Sequence, residues 1–244
     1  MQCLSEIKNK KILLIVAHPD DETLWFFQSI QKLKLSNDIL IFCLTHAAVS
    51  KRGKELSKVA ENLGLKVVFG HCEDTGIDHF LKSSELRQAF IKVFSKYKID
   101  IAITHPPHGG EKPHPHHIQL YFLTKDFCGY YSVQFGFFSE QKILTSKGNK
   151  KNLHLNLKMK KYIAHRILQG YINLTDKENS LYFLLKCIFS VFFNFKLFLG
   201  YEIDVDLEQK QSILASFESQ QDVLKSYNTY YKKTEFLYLE ERGP

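Results

Sequence analysis

The sequence predicts a three-layer α/β fold, in which helices cover both faces of a mostly parallel sheet. Short apolar runs that suit buried strands alternate with stretches whose apolar residues recur at helical spacing. Histidines and acids are concentrated directly after two of the predicted strands. Because ligand sites of such folds lie at the carboxyl ends of the strands, these polar clusters point to the same architecture as the alternation does.

The elements can be assigned in order along the chain. The predicted strands are 11–17, 38–45, 66–70 and 99–104, and the predicted helices are 22–34, 53–65, 83–97, about 114–126 and 207–230. Gly64 suits the position just past a helix end, and Ser83 suits a helix start. We expect residues 1–244 to form a single domain, because a chain of this length can bury one sizeable core.

Composition limits the partners and the compartment. The net charge of +7 favours an anionic partner, but the chain has no basic run interleaved with aromatics, so nucleic acid is not expected. The five cysteines are odd in number and form no CxxC pair, which argues against a disulfide framework. The beginning of the chain also lacks the apolar core of a signal peptide. These features together predict a cytoplasmic protein with reduced cysteines.

The segment 181–199 is almost wholly apolar apart from a few polar positions that include Lys186 and Lys196. Each lysine would cost roughly 2.5–3.5 kcal/mol at the centre of a bilayer, so a spanning helix is not expected. Three interpretations stay open: a core helix, a helix lying in the membrane interface, and a dimer contact. The second would place the protein peripherally at the inner face of the membrane.

The first polar cluster, "VAHPDDE" at 16–22, directly follows the first predicted strand. One acid would satisfy a helix N-terminus, so two acids and a histidine exceed that need. A loop histidine and a carboxylate three positions later, His18 and Asp21, can bind one zinc ion through nitrogen and oxygen. Asp20, which lies between them, would then be free to act on water.

The second cluster follows the fourth predicted strand and contains five histidines within thirteen residues: His105, His108, His114, His116 and His117. A third ligand from this cluster would complete a set of two nitrogens and one oxygen. Such a set leaves one tetrahedral position open, which is characteristic of catalytic rather than structural zinc.

Together, "VAHPDDE" and "PHPHH" resemble the paired signatures AHPDDE and HPDH of the PIG-L/LmbE-like zinc de-N-acetylases. The resemblance implies a Rossmann-like three-layer fold and one zinc ion per chain, bound by His18, Asp21 and His117. It implies Asp20 as the general base and His114 as the electrophilic or acid partner. The implied reaction removes the acetyl group from an N-acetylated amino sugar of the N-acetylglucosamine type. The positive net charge and the apolar segment 181–199 favour a sugar carried on a nucleotide- or lipid-linked conjugate.

Three further residues are candidates for substrate contacts: Arg52, Asp74 and Lys112, with Asp78 as an alternative to Asp74. The chain also departs from the family pattern. His116 replaces the aspartate of HPDH, which either weakens the support of a neighbouring histidine or adds a different metal ligand. The glycines usual after the first motif are replaced by "TLWFFQS", so we expect Trp25 and Phe26 to alter the local packing or the shape of the pocket.

Two other functions stay open on the residues alone. The same zinc site could hydrolyse another amide or an ester, or the chain could be a sugar-binding protein whose metal site is vestigial because of His116. A dinucleotide-binding module is excluded, since no GxGxxG follows the first strand.

Overall fold

A computed structural model of the chain describes residues 4–76, 79–111, 114–139, 144–147, 150–153, 161, 164 and 197–240. Its strands are β1 (Lys11–Val16), β2 (Asp38–Thr45), β3 (Lys66–Cys72), β4 (Ile101–Thr104), β5 (Gln134–Ser139), β6 (Leu144–Lys147), β7 (Lys150–Leu153), β8 (Leu197–Asp204) and β9 (Thr234–Glu240). Its helices of five or more residues are α1 (Asp21–Leu33), α2 (Lys51–Asn62), α3 (Ser83–Lys96), α4 (Pro115–Tyr130), α5 (Leu207–Leu214) and α6 (Gln221–Lys225).

The nine strands of the described residues form one sheet in the order β3-β2-β1-β4-β5-β9-β8-β7-β6. The block from β3 to β5 is parallel throughout, and the strands beyond β5 pair antiparallel. The predicted α/β class, with alternating helices and a parallel sheet at its centre, is confirmed. The antiparallel extension was not predicted.

Side chains of β1 alternate between the two faces of the sheet, as the period of two in a strand requires. Leu13 and Ile15 belong to the core shared with α3 and α4. Ile12, Leu14 and Val16 belong to the core shared with α1, α2 and α5. Both faces of the central strand are therefore covered, which explains why its sequence is a continuous apolar run.

The order of the parallel block determines where a site can form. The chain moves outward from β1 to β2 and β3, and then crosses back to β4 on the other side of β1. Connections therefore leave β1 and β4 in opposite directions, which opens a crevice at their carboxyl ends. Residues 17–20 follow β1 and residues 105–114 follow β4, so both polar clusters lie at this crevice.

The predicted helix 207–230 is wrong as a single element. It breaks after α5 and resumes as the short α6, because the intervening Phe217 is completely buried and turns the chain. The side-chain amide of Gln221 donates to the carbonyl oxygens of Leu214 and Phe217 at 2.8 and 3.2 Å. The exposed carbonyls at the helix end are thereby satisfied, and the break is stable.

Two other regions also differ from expectation. Part of the polar stretch 145–152 pairs as the hairpin of β6 and β7. Most of the apolar segment 181–199 lies outside the described residues, but Leu197–Leu199 begin β8, so the helical interpretation is wrong for these three positions. Within the part of the chain that the structure describes, no helix has the length and apolar character needed to cross a membrane.

A buried ion pair attaches α5 to the sheet. Lys210 Nζ lies 3.9 Å from Glu235 Oε1, and both side chains are almost completely buried. The Glu235 carboxylate also accepts hydrogen bonds from the backbone N–H groups of Gln28 and Ser29 and from the Ser29 hydroxyl. Burial raises the pKa of Glu235 and lowers that of Lys210, while each charge opposes the shift of its partner.

Replacing Lys210 with methionine is expected to lower the free energy of unfolding by about 3 kcal/mol, because it leaves a buried carboxylate without its cation. Urea unfolding followed by circular dichroism measures the change. Lys225→Met, at an exposed position of α6, is the matched control and should change stability little. Equal losses in the two variants would contradict a stabilising role for the pair.

Candidate metal centre

The loop after β4 folds back beneath the start of α4, where His114 is the N-cap and Pro115 the first helical residue. Gly109 makes this return possible. Its φ is +79°, and a Cβ placed there would lie 2.8 Å from Ile118 Cγ1 and 2.9 Å from the backbone nitrogen of His114. A side chain at position 109 would therefore push the loop away from the first turn of α4.

Imidazole rings from both clusters converge on one carboxylate oxygen of Asp21. Asp21 Oδ2 lies 3.4 Å from His18 Nδ1 and 3.3 Å from His117 Nε2. The ligand atoms of these three residues lie within 4.8 Å of one another, and all three side chains are buried. The structure thus brings together the residues that the sequence predicts as metal ligands.

The hydrogen bonding of His117 leaves a lone pair directed at this carboxylate. Its Nδ1 lies 3.0 Å from the carbonyl oxygen of Gly109, which can only accept, so Nδ1 carries the proton. Nε2 is then unprotonated in the neutral ring, and it is buried without a hydrogen-bond partner. A bare nitrogen facing a carboxylate oxygen is unfavourable, unless a metal ion or a second proton on the ring lies between them. A metal ion bound between the two groups would satisfy both of them.

Asp21 is held in its ionised form. The indole Nε1 of Trp25 donates to Oδ1 at 3.2 Å, and the backbone N–H of His18 donates to Oδ2 at 2.8 Å. Burial works to raise the pKa of Asp21, but His117 and His105 outweigh it and hold the pKa well below its usual value. Trp25, which replaces a glycine-rich stretch of the family pattern, therefore orients a predicted metal ligand.

The donor set fits zinc. Two imidazole nitrogens and one carboxylate oxygen are the ligands of several catalytic zinc sites. Ligand atoms bound at 2.0–2.2 Å in a tetrahedral arrangement lie about 3.4 Å apart. The two measured separations, 3.3 and 3.4 Å, agree with that spacing.

A second group, His18, His114 and His116, also has ligand atoms within 4.8 Å of one another. Its nitrogens, however, are already engaged. His116 Nε2 lies 2.8 Å from the Thr75 hydroxyl and Nδ1 lies 3.0 Å from His18 Nε2, while His114 Nδ1 accepts the backbone N–H of His116. The geometry therefore favours the set with Asp21 over the alternative in which His116 binds the metal.

Asp20, the predicted general base, lies at the start of α1 in an unusual backbone conformation with φ of 110°. Arg52 binds it, because the guanidinium Nη2 donates to Asp20 Oδ2 at 3.0 Å and to the carbonyl oxygen of Pro19 at 2.9 Å. Burial raises the pKa of Asp20 well above its usual value, and Arg52 partly opposes this effect. Arg52, which was predicted to contact substrate, lines the pocket. Its Nη2 is engaged in positioning Asp20.

The surroundings of His114 favour the neutral form of its ring. Burial, followed by the neighbouring His117 and His18, holds its pKa far below the ordinary value. Since Nδ1 accepts the backbone N–H of His116, the proton of the neutral ring lies on Nε2. Of the two roles that the resemblance implies, this geometry favours the electrophilic partner over the protonated acid.

Of the other residues predicted to contact substrate, only Asp74 lies within the described part of the chain. Asp74 lines the pocket, with Oδ2 at 3.6 Å from His46 Nε2, and this contact above all lowers the pKa of Asp74. Lys112 and Asp78 lie outside the described residues. His105 was not assigned a role from sequence, although its Nε2 lies 3.4 Å from Asp21 Oδ2 and its ring stacks on His117 at 3.7 Å.

A pocket of about 220 Å³ opens beside these groups. One wall is polar and is formed by the metal-ligand candidates together with Asp20, Arg52, Asp74 and His114. The rest of the lining is largely apolar and includes Leu24, Trp25, Val223, Leu224 and Tyr227. The α6 region therefore supplies one side of the pocket, a role that its amphipathic sequence does not reveal.

Residues 13–128 match the family model described as PIG-L, GlcNAc-PI de-N-acetylase. The matched region contains both histidine clusters and every predicted site residue. The resemblance inferred from the two motifs is thereby confirmed. A search of curated proteins gives no significant match.

Solved structures that align with this chain were also found. The N,N'-diacetylchitobiose deacetylase from Pyrococcus horikoshii aligns with 17% identity and a TM-score of 0.47, over 91% of this chain and 75% of that chain. The 4-carboxy-2-hydroxymuconate hydratase from Pseudomonas putida KT2440 aligns with 11% identity and a TM-score of 0.49, over 96% of this chain and 98% of that chain.

Proposed function

Because residues 13–128 match the family model of the PIG-L de-N-acetylases, we propose that the chain is a zinc-dependent hydrolase of N-acetylated amino sugars. The substrate class is an N-acetylglucosamine-type sugar carried on a conjugate, and the products are acetate and the free amine. The observation that carries the proposal is the pair of imidazole nitrogens of His18 and His117 facing one ionised oxygen of Asp21. Asp20 lines the pocket beside them.

His18, Asp21 and His117 would hold the zinc ion, which would act as a Lewis acid that polarises the amide carbonyl and lowers the pKa of water. The protein's own groups then move the protons. Asp20 accepts a proton from the attacking water, and Arg52 holds its carboxylate in place for that transfer. A general base works best when its pKa lies near the working pH, and burial shifts Asp20 in this direction.

His114 acts on the oxygen of the substrate amide. Its Nε2–H donates a hydrogen bond as negative charge develops on that oxygen during attack. Since neutral His114 has no additional proton to give, the proton taken up by Asp20 passes to the leaving nitrogen. The C–N bond then breaks and the new carboxyl group departs as acetate.

The two walls of the pocket match the two sides of an amino sugar. Asp74 can accept hydrogen bonds from sugar hydroxyls, while Trp25 and Tyr227 offer ring edges and faces to the apolar side of a pyranose. Burial raises the pKa of Tyr227 to about 12, so its phenol stays neutral. This division between polar and apolar walls supports a sugar over a small acetylated amino acid.

We also propose that the protein is cytoplasmic, with a peripheral contact at the membrane. Among the described residues, Cys43, Cys72 and Cys128 are buried cysteines that form no disulfide, which agrees with a reducing cytoplasm. A peripheral contact with the membrane through 181–199 would bring the enzyme to a lipid-linked sugar. The net charge of +7 is compatible with either a nucleotide- or a lipid-linked phosphate conjugate.

Acetate release from a panel of acylated compounds tests the proposal. The panel contains free, nucleotide-linked and lipid-linked N-acetylglucosamine, an N-acetylated amino acid and an acetyl ester. We expect release from the sugar compounds, loss of release after chelation, and recovery on adding zinc. Faster turnover of the amino acid or the ester would overturn the sugar assignment, and sugar binding without acetate release would favour a non-catalytic binding protein.

A further inference from the structure

A chain of hydrogen bonds leads from the loop after β3 to the metal-ligand candidate His18. The Thr75 hydroxyl lies 3.2 Å from the carbonyl oxygen of Phe80 and 2.8 Å from His116 Nε2. His116 Nδ1 in turn lies 3.0 Å from His18 Nε2. The His116 side chain is completely buried, so each of its nitrogens requires a partner inside the protein.

The carbonyl of Phe80 fixes the direction of every proton in this chain. A carbonyl oxygen only accepts, so the Thr75 hydroxyl uses its one proton to donate a hydrogen bond to the carbonyl oxygen of Phe80. The hydroxyl must then accept from His116 Nε2, which places the His116 proton on that nitrogen. His116 Nδ1 is left as an acceptor, and it takes the proton of His18 Nε2.

These hydrogen bonds determine which nitrogen of the metal-ligand candidate His18 carries the proton. With its proton on Nε2, neutral His18 keeps a bare Nδ1, and this atom lies 3.4 Å from Asp21 Oδ2. The opposite tautomer of His18 would direct a proton at Asp21 and remove the lone pair that a metal uses.

This chain also explains how the protein tolerates histidine where the family pattern has aspartate. Nδ1 of histidine and Oδ1 of aspartate are both bonded to Cγ, so they can occupy the same place beside His18. An aspartate oxygen always accepts, whereas a histidine Nδ1 accepts only if the proton lies on Nε2. His116 therefore needs an additional partner to specify its tautomer, and Thr75 is placed to be that partner.

We infer that Thr75 and His116 are positioning residues that jointly select the metal-binding tautomer of His18. The inference rests on the proposed function, because it assumes that His18 Nδ1 binds zinc. It assigns Thr75 a role that depends on the identity of residue 116. Loss of an outer partner of a metal-ligating histidine typically costs about 10–100-fold in metal affinity.

Zinc affinity, measured by competition with a chromogenic chelator, tests this dependence. Thr75→Val removes the acceptor with little change in shape, and we expect the Kd for zinc to rise about 10–100-fold. Thr75→Ser keeps the hydroxyl and should retain the native Kd. In a His116→Asp background the same Thr75→Val change should have no effect, because the carboxylate accepts from His18 unaided.

Each outcome distinguishes between the hypotheses. An unchanged Kd in Thr75→Val, or an equal rise in Thr75→Val and Thr75→Ser, would overturn the inference. An equal cost of Thr75→Val in the native and His116→Asp backgrounds would do the same. If the native protein binds no zinc, the proposed function itself fails.

Nitrogen-15 NMR of the histidine rings in the zinc-free native protein reads the tautomers directly, even if the His116→Asp variant does not fold. We expect protons on Nε2 of both His18 and His116. A proton on Nδ1 of either ring would overturn the inference.

Discussion

Replacing Asp20 with asparagine is expected to lower kcat by about 10²–10⁴-fold, the usual contribution of a general base. The amide oxygen of asparagine can still accept from Arg52, so the geometry of the loop should persist. The variant cannot take a proton from water, however. Zinc content should stay at the native level, because Asp20 is not among the three groups that converge as ligands.

Asparagine is a better choice than alanine at this position. The φ of Asp20 is 110°, a conformation that most side chains avoid and that asparagine and aspartate tolerate best. Alanine would combine the loss of the base with backbone strain in the loop that carries His18 and Asp21. Asp38→Asn, at the exposed amino end of β2, is the matched control. Near-native acetate release by Asp20→Asn would show that another group accepts the proton.

The parallel half of the fold could be predicted because its signals are local. Each of the strands β1 to β4 is a short apolar run, and helical spacing appears between them, so the order of elements can be read along the chain. The position of β9 beside β5 depends on pairs such as Gly136 with Leu239, which are about a hundred residues apart in sequence. No local pattern specifies such a partner, so the antiparallel half was missed.

Prediction of the site was limited in the same way. His18, Asp21 and His117 could be identified from their residue types and from the expected meeting of strand ends. An effect of Trp25 on the pocket was expected from its place after the first motif, but its hydrogen bond to Asp21 was not. The contribution of Tyr227 could not be predicted, because it depends on how the α6 region packs around the crevice.

The replacement of aspartate by His116 illustrates the difference between reading a motif and seeing its surroundings. From sequence alone, the change suggests either weakened support for a ligand or a new ligand. In the structure, His116 is bonded through both nitrogens, one to Thr75 and one to His18. Thr75 was not a candidate for any role, because nothing in its local sequence indicates that it lies beside a residue forty-one positions later. Its function becomes visible only when both nitrogens are accounted for.

Replacing His117 with alanine is expected to abolish stoichiometric zinc binding. It removes one of three converging ligands, and the affinity loss should exceed the roughly 100-fold upper cost of losing an outer partner. Zinc bound only to the native state stabilises it by about 2.7 kcal/mol at a free concentration of 100 times Kd. The native protein should therefore gain thermal stability on adding zinc, whereas His117→Ala should gain none.

The single tryptophan of the chain gives a second readout of the same event. Trp25 donates to Asp21 and its ring lies edge-on to His117, so its fluorescence should change when zinc binds. That change should be absent in His117→Ala and present in the control His79→Ala, whose side chain is exposed. A His117→Ala protein that kept both the zinc-dependent stability and the fluorescence change would show that the metal is held elsewhere. The pairing of His18 and His117 around Asp21 would then need another explanation.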